Sequence, residues 1–360
     1  MVKKSPLYET QVQAAAKFVD YAGFSLPVHF GSQLAEHQAV RTSAGMFDVS
    51  HLSIIDLQGD ETTSWLRRML TNDVGKLTDG MALYTCMCRE CGGVIDHLIV
   101  YRLSSDRYRL VINPLNREKD MKWLEGHRPA GVQMHEVDGT AMLAVQGPDA
   151  VRLAEAALAE VGQVHDLISM GRYTAVESGD WLIARTGYTG EDGVEIALPE
   201  SKAVDLWQAL SAQGVHAAGL GARDSLRVEA GMCQYGEDLD EDHTPVESGI
   251  PSTVDILDPD REFIGKEVLE DHKLFGGRYM QVGIILDTRG RLQKGQSVEL
   301  VGRSIGTITS GTFSPTREVS VALARVEKRF TGSCDISIRN RLLPAHIASV
   351  PFVPHGQARD

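Results

Sequence analysis

Cys91-Gly92-Gly93-Val94-Ile95-Asp96-His97-Leu98-Ile99-Val100-Tyr101 reads as a Gly-Gly turn feeding a strand. Two ionisable residues sit at the strand's start, ahead of an apolar run. Side chains alternate along a strand, so Asp96 and His97 point to opposite faces. If one face lines a cavity, only one of the pair works there. Taken alone, the pattern is equally that of a polar strand entry on an ordinary sheet.

Outward from this turn the same periods recur. Ala82–Met87, Val94–Leu103 and Tyr108–Asn113 are three strand-like runs, and 116–125 has helical spacing. Upstream, 31–41 reads as a turn into a short helix, 43–51 as a turn into a strand, and 54–59 as a strand. Asp60 then caps a helix through Leu70, with Trp65, Leu66, Met69 and Leu70 on one side. Downstream come a strand at 141–146, a helix from Gly147-Pro148-Asp149 to about Ala159, and a strand pair within 173–198 joined around 187–190. A helix follows at 201–212, and 226–232 reads as part of another. Pro251, Pro259 and Gly265 punctuate a turn-rich connection. Beyond Tyr279, short Gly-punctuated strands (282–286, 297–300, 306–308, 319–326, 335–338) predict a small barrel or sandwich.

Composition narrows the function classes. The 360 residues suffice for two or three domains, and 42% hydrophobic content supports sizeable cores. The formal net charge of -13, from 36 basic and 49 acidic residues, excludes a general nucleic-acid binder. It also disfavours an anionic membrane surface. Met1–Leu7 leads into no apolar core, and no apolar stretch nears the roughly 20 residues of a membrane span. The expectation is a cytoplasmic protein. Its five cysteines are expected reduced. Cys86, Cys88 and Cys91, with His97 close by, have a metal-like spacing but no second cluster to complete a tetrahedral set. Small apolar residues packing in a sheet is the better reading.

Three further constellations carry possible chemistry. In Arg185-Thr-Gly-Tyr188-Thr-Gly-Glu191-Asp-Gly-Val-Glu195, glycines surround a tyrosine able to stack on a flat ligand and bond its polar edge. Glu195 opens the next strand, and a carboxylate accepts two parallel N–H bonds from an aminopyrimidine-like edge. A structural hairpin with a solvated glutamate fits the same letters. Gly219-Leu-Gly-Ala-Arg223-Asp224-Ser-Leu-Arg227 lacks the third glycine and the preceding strand of a dinucleotide loop. Arg223 and Arg227 share a helix face, suited to a ligand carboxylate or to internal ion pairs. Ser310-Gly-Thr-Phe-Ser-Pro-Thr316 reads as a hydroxyl-rich loop. No G-x-S-x-G elbow supports a hydrolase, and Ser50-His51 adjacency makes no triad.

These segments, with Ala44-Gly-Met-Phe-Asp-Val-Ser-His51, Thr71-Asn-Asp-Val74, Ala82-Leu-Tyr84, Gln146-Gly-Pro148 and Thr309–Thr316, resemble one family in order along nearly the whole chain. It is the T-protein of the glycine cleavage system, the tetrahydrofolate-dependent aminomethyltransferase. The resemblance implies an α+β fold: a three-domain cloverleaf around a folate channel, with a C-terminal β-barrel-like domain. It divides the chain into 1–52 with 138–250, then 53–137, then 270–360. It implies transfer of the aminomethyl carbon from the lipoyl arm of an H-protein to tetrahydrofolate, with ammonia released and 5,10-methylenetetrahydrofolate formed. By motif match Tyr84, Asn113, Tyr188, Glu195 and Arg223 line the folate site, Glu195 holding the pterin edge. An acidic H-protein would need a basic patch, for which Lys119, Lys122 and Arg67-Arg68 are candidates.

One departure outweighs the rest. The family reads Asp-Asp after Gly-Gly and two apolar residues, and the second Asp is the one assigned to catalysis. Here that position is His97, while Asp96 matches the first. A fixed carboxylate stabilises a developing cation, and a neutral imidazole accepts a proton but brings no full charge. Leu52 for Met, Phe24 for Trp, Ile250-Pro251-Ser252, and Arg317-Glu318 for Leu-Gly are lesser departures. Three readings stay open: a working aminomethyltransferase with His97 as orienter or base, a folate-binding paralogue with lost transfer, and an enzyme with another one-carbon donor. An unperturbed His97 would titrate near roughly pH 6–7.

Overall fold

The computed structural model describes residues 2–327, 330, 332–339 and 341–354. The third expected segment, 270–360, therefore runs past the last of them. Among the described residues no helix is long and apolar enough to cross a membrane.

The Gly-Gly turn does what its sequence requires. Gly92 takes φ +82, and a Cβ on Gly93 would sit 1.8 Å from the Glu241 carbonyl oxygen. The turn joins Ala82–Cys88 to Val94–Arg102, paired so that Cys86 faces His97 and Met87 faces Asp96. With Arg107–Ile112, Ser53–Gln58 and Gln133–Glu136 they form a five-stranded antiparallel sheet. Helices Thr62–Met69 and Arg117–His127 cover one face, over Leu57, Trp65, Leu66, Leu98, Leu110 and Leu124.

A six-stranded sheet runs Ala175–Ser178, Trp181–Ala184, Gly193–Pro199, Thr140–Gln146, Gly45–Asp48 and His216–Ala217. Helices Ala150–Glu160 and Ala203–Ala212 bury Leu153, Leu158, Leu206 and Leu210 against its outer face. Its inner face meets the five-stranded sheet through Phe47, Ile54, Tyr101, Val111, Met142 and Ala184. Phe47, Ile54, Val111 and Met142 each contribute about 1.5–3 kcal/mol on burial, so this seam holds the two sheets together. A small sheet of Lys3–Lys4, Phe24–His29 and Lys17–Tyr21 lies at the start of the chain. The expected C-terminal β-domain is a closed six-stranded barrel, Tyr279–Leu286 to Arg341–Ala348.

Several local expectations are corrected. Asp60 does not cap its helix: the N-cap is Glu61 without a side-chain bond, and the Thr62 amide bonds the Gly59 carbonyl instead. The helix of which 226–232 was expected to be part is Leu220–Glu229, so it ends three residues earlier. A helix at Lys266–Phe275 stands where punctuation suggested only a connection. The loop at 310–316 is largely strand, since Arg303–Ser314 pairs with Val319–Glu327. Of the two fates open to Arg227, the structure shows the internal ion pair. Arg227 is buried and bonded to Asp224 at 2.9 Å and Asp238 at 2.7 Å.

One buried carboxylate ties the parts together. Glu229, ending helix Leu220–Glu229, accepts from Arg41 of helix Gln33–Thr42 at 2.9 and 3.1 Å. It also meets His37 Nε2 at 3.1 Å and accepts from the Ser314 and Thr316 hydroxyls at 2.5 and 2.9 Å. Burial pushes its carboxyl up, but the His37 bond and the His37 and Arg41 charges prevail and hold it at about 2. A carboxyl held below its unfolded value contributes stability above the unfolded pKa and loses it as pH falls toward the folded value.

Glu229→Gln is expected to cost about 3–5 kcal/mol in denaturant unfolding at pH 7. The wild-type advantage should shrink between roughly pH 5 and pH 2. Glu318 occupies φ +57, in the left-handed region, where the family has glycine. Glu318→Gly should therefore stabilise by up to about 1 kcal/mol, read from the same unfolding curves.

Candidate functional site

A cavity of about 140 Å³ opens between the two sheets, beside helix Leu220–Glu229. All six residues expected at the site line it: Tyr84, His97 and Asn113 from the five-stranded side, Tyr188 and Glu195 from the six-stranded side, and Arg223 from the helix.

Strand alternation sorts the adjacent pair as expected. Asp96 points to the back of its sheet and is 0% exposed, bonded to the Asn113 amide at 3.1 Å and Asn116 Nδ2 at 2.8 Å. His97 points into the cavity, its Nδ1 2.8 Å from the Tyr84 hydroxyl. Burial lowers its pKa below the usual histidine value; Asp96 and Asp238 pull the other way, and Arg223 and Arg227 add to the lowering. The expected titration near pH 6–7 is thus displaced downward, and the imidazole is neutral at pH 7. Tyr84 is driven well above the usual phenol value by burial, so its hydroxyl keeps its proton.

The glycine-rich connection wraps Gln146. A Cβ on Gly187 would lie 1.9 Å from the Gln146 amide oxygen. Gln146 Nε2 bonds the Thr186 carbonyl at 3.1 Å, which holds Tyr188 over the cavity. Tyr188 is not left free to bond a ligand edge as expected: its hydroxyl donates to the Cys233 carbonyl, and Arg223 stacks on its ring at 4.4 Å. Glu195 accepts from the Thr186 hydroxyl at 2.6 Å. Burial raises its pKa, with Thr186 and Arg223 opposing. The carboxylate is a half-buried acceptor at the cavity wall.

Residues the sequence did not single out share the cavity: Tyr21, His51, Tyr173, Met232 and Gln234. Tyr21 packs edge-on against His51 at 5.4 Å. Burial and Arg223 lower His51 to about 3. His51 lay within a quoted motif; the approach of Tyr21, far away in sequence, had no sequence signal. A second cavity adjoins through Tyr21, Arg223 and Gln234, with Arg291 and Lys294 on its wall.

The hydroxyls of the 309–316 segment hold carboxylates rather than a ligand. Thr309 and Ser310 bond Asp238 at 2.5 and 2.8 Å, and Ser314 and Thr316 bond Glu229. Cys86 and Cys88 pack with Val94, Val254 and Phe263, while Cys91 is exposed. Of the basic candidates, Lys119 is bonded to Tyr235 and Glu241, and Arg67 to Asp73 and Asp258.

Known proteins share this architecture from end to end. Residues 7–257 match the GCVT N-terminal domain, and residues 280–354 the glycine cleavage T-protein C-terminal barrel domain. An aminomethyltransferase of Stenotrophomonas maltophilia (strain K279a) is 46% identical over 366 residues, covering 100% of this chain and 98% of its own. Another, from Alcanivorax borkumensis, is 46% identical over 359 residues, covering 99% of each. The crystal structure of glycine cleavage system aminomethyltransferase T from Bartonella henselae has a TM-score of 0.91 at 33% identity, covering 98% of both chains. Such full-length similarity favours a working enzyme over a paralogue that has lost transfer. The chain belongs to the glycine cleavage T-protein family of aminomethyltransferases.

Proposed function

We propose that the cavity takes tetrahydrofolate as the carbon acceptor and the aminomethylated lipoyl arm of an H-protein as the donor. The observation that carries this reading is the convergence of Glu195, His97 and Arg223 on one cavity from two sheets and a helix. Glu195 is a half-buried carboxylate suited to paired N–H donors of a pterin edge. Tyr84 and Asn113 add polar contacts. Arg223, stacked on Tyr188, faces both cavities and suits the carboxylates of the folate tail.

The bonds and protons balance without an oxidant or metal. The donor's C–S and C–N bonds break, and two C–N bonds to folate form. Two N–H protons leave tetrahydrofolate, one reaching sulfur to make a thiol and one reaching nitrogen to make ammonia. The protein's share is to orient the reactants and relay a proton. His97 takes that role in the tautomer whose Nδ1–H donates to the Tyr84 oxygen, which leaves Nε2 to accept. It is a base in place of the family's carboxylate, and it supplies no negative charge to a cationic intermediate. Docking of an acidic H-protein would draw on Arg68 and Lys122 rather than on the engaged Arg67 and Lys119.

Calorimetry should show tetrahydrofolate binding, and Glu195→Gln should weaken it about ten- to a hundredfold, the value of a charge-assisted bond. Unchanged affinity would remove Glu195 from the pterin edge. Methylenetetrahydrofolate formation from aminomethylated H-protein tests the reaction. His97→Ala should lower kcat about 10²- to 10⁴-fold with little change in folate affinity. A base must be unprotonated, so wild-type turnover should be flat above pH 7 and fall as pH drops through the lowered His97 pKa. His97→Asp should remain active and lose that profile.

A further inference from the structure

Behind the strand that carries His97, two carboxyls lie together out of reach of water. Asp96 and Asp120 are each 0% exposed. Both oxygens of Asp96 are supplied with protein N–H donors, from Asn113 and Asn116. Neither oxygen of Asp120 has any such donor among the described residues. The Asp120 amide bonds the Asn116 carbonyl at 2.8 Å, and the Asn116 side chain bonds Asp96, so the helix sets both carboxyls against the same strand face. Two anions so placed repel, and one proton between them removes the repulsion and partners the stranded oxygen. Asp96 already has two donors favouring its anion, which leaves the proton on Asp120.

We propose that Asp120 is a positioning residue acting as a neutral carboxylic acid: it donates its proton to Asp96 and so fixes the cavity wall bearing Asn113 and His97. Asp96 holds the Asn113 amide and the Asn116 side chain at once, closing the turn whose Asn113 and Pro114 line the cavity. Asp96 also precedes His97 in the strand, and its charge favours the imidazolium. Burial is what chiefly keeps that imidazole neutral, and a second negative charge behind the strand would work against it.

The groups facing Asp120 agree with this. Burial and the Asp96 charge raise it to about 11; Lys119 opposes them and Glu241 adds to them. The Lys119 ammonium is itself bonded to Glu241 and Tyr235, and Arg89 also bonds Glu241. The role in substrate binding rests on the folate reading above; the retained proton does not.

The test compares the full chain with Asp120→Asn, which keeps a donor and carries no titrating proton, and with Asp120→Leu, which keeps neither. Infrared spectra at pH 8 should show a protonated-carboxyl band in wild type that Asp120→Asn lacks. Folded wild type holds a proton that the unfolded chain has lost, so its stability falls as pH rises. Its folding equilibrium relative to Asp120→Asn should drop about tenfold per pH unit between pH 6 and 8. Tetrahydrofolate affinity should stay within about threefold in Asp120→Asn and fall at least about tenfold in Asp120→Leu, the loss of a buried hydrogen bond to a charged group. A missing band with a pH-independent stability difference overturns the retained proton. Wild-type affinity in Asp120→Leu overturns the positioning role. If no variant binds tetrahydrofolate yet the band is present, the folate reading fails and the shared proton stands.

Discussion

Everything around the cavity depends on the carboxylate of Glu229. It sits at the end of the helix that carries Arg223, and it is bonded to a second helix through Arg41 and His37 and to the barrel through Ser314 and Thr316. Arg41 bridges onward to Glu191 at 2.8 Å, in the connection that carries Tyr188. A buried charge with one missing partner is costly, so these contacts form together or not at all. The barrel lines little of the cavity, but its hydroxyls help hold the helix that does.

Low polarity gives the cavity its chemical character. His51 and His97 are biased toward neutral imidazole, and Tyr84 and Tyr188 toward neutral phenol, each chiefly because burial disfavours its charged form. Arg223 stands among them as a cation. Such a wall moves protons without presenting a field that would hold them. That suits a reaction in which protons pass from nitrogen to sulfur and to a departing amine. It also explains how a histidine can occupy a position where the family keeps a carboxylate.

Much of this was legible in the sequence, for identifiable reasons. The run Val94–Leu103 and its neighbours are short, nearly continuous apolar stretches bounded by turn residues, and the structure keeps those strands within a residue or so. The barrel announced itself through short strands at regular glycine spacing. Helix Lys266–Phe275 was hidden because Gly265, its left-handed N-cap, reads as a breaker when seen alone. Ser310–Ser314 looked like a loop because its hydroxyls, which here bond buried carboxylates, are also turn residues. At the site, Tyr84, Tyr188, Glu195 and Arg223 stood in motifs, whereas Tyr21 reaches the cavity only through a tertiary approach. The Asp96–Asp120 contact was equally invisible, since nothing in sequence marks which helix will cover which strand face.

The opposed faces of Asp96 and His97 have a consequence for how such a protein changes over generations. The side chain at 96 is knitted into backbone and helix contacts, while the one at 97 touches the cavity and a single tyrosine hydroxyl. A substitution at 97 can alter the chemistry offered to substrate while leaving the turn, the sheet and the barrel undisturbed. One peptide unit thus separates heritable change in reactivity from heritable change in fold, which makes position 97 a natural place for the lineage to experiment.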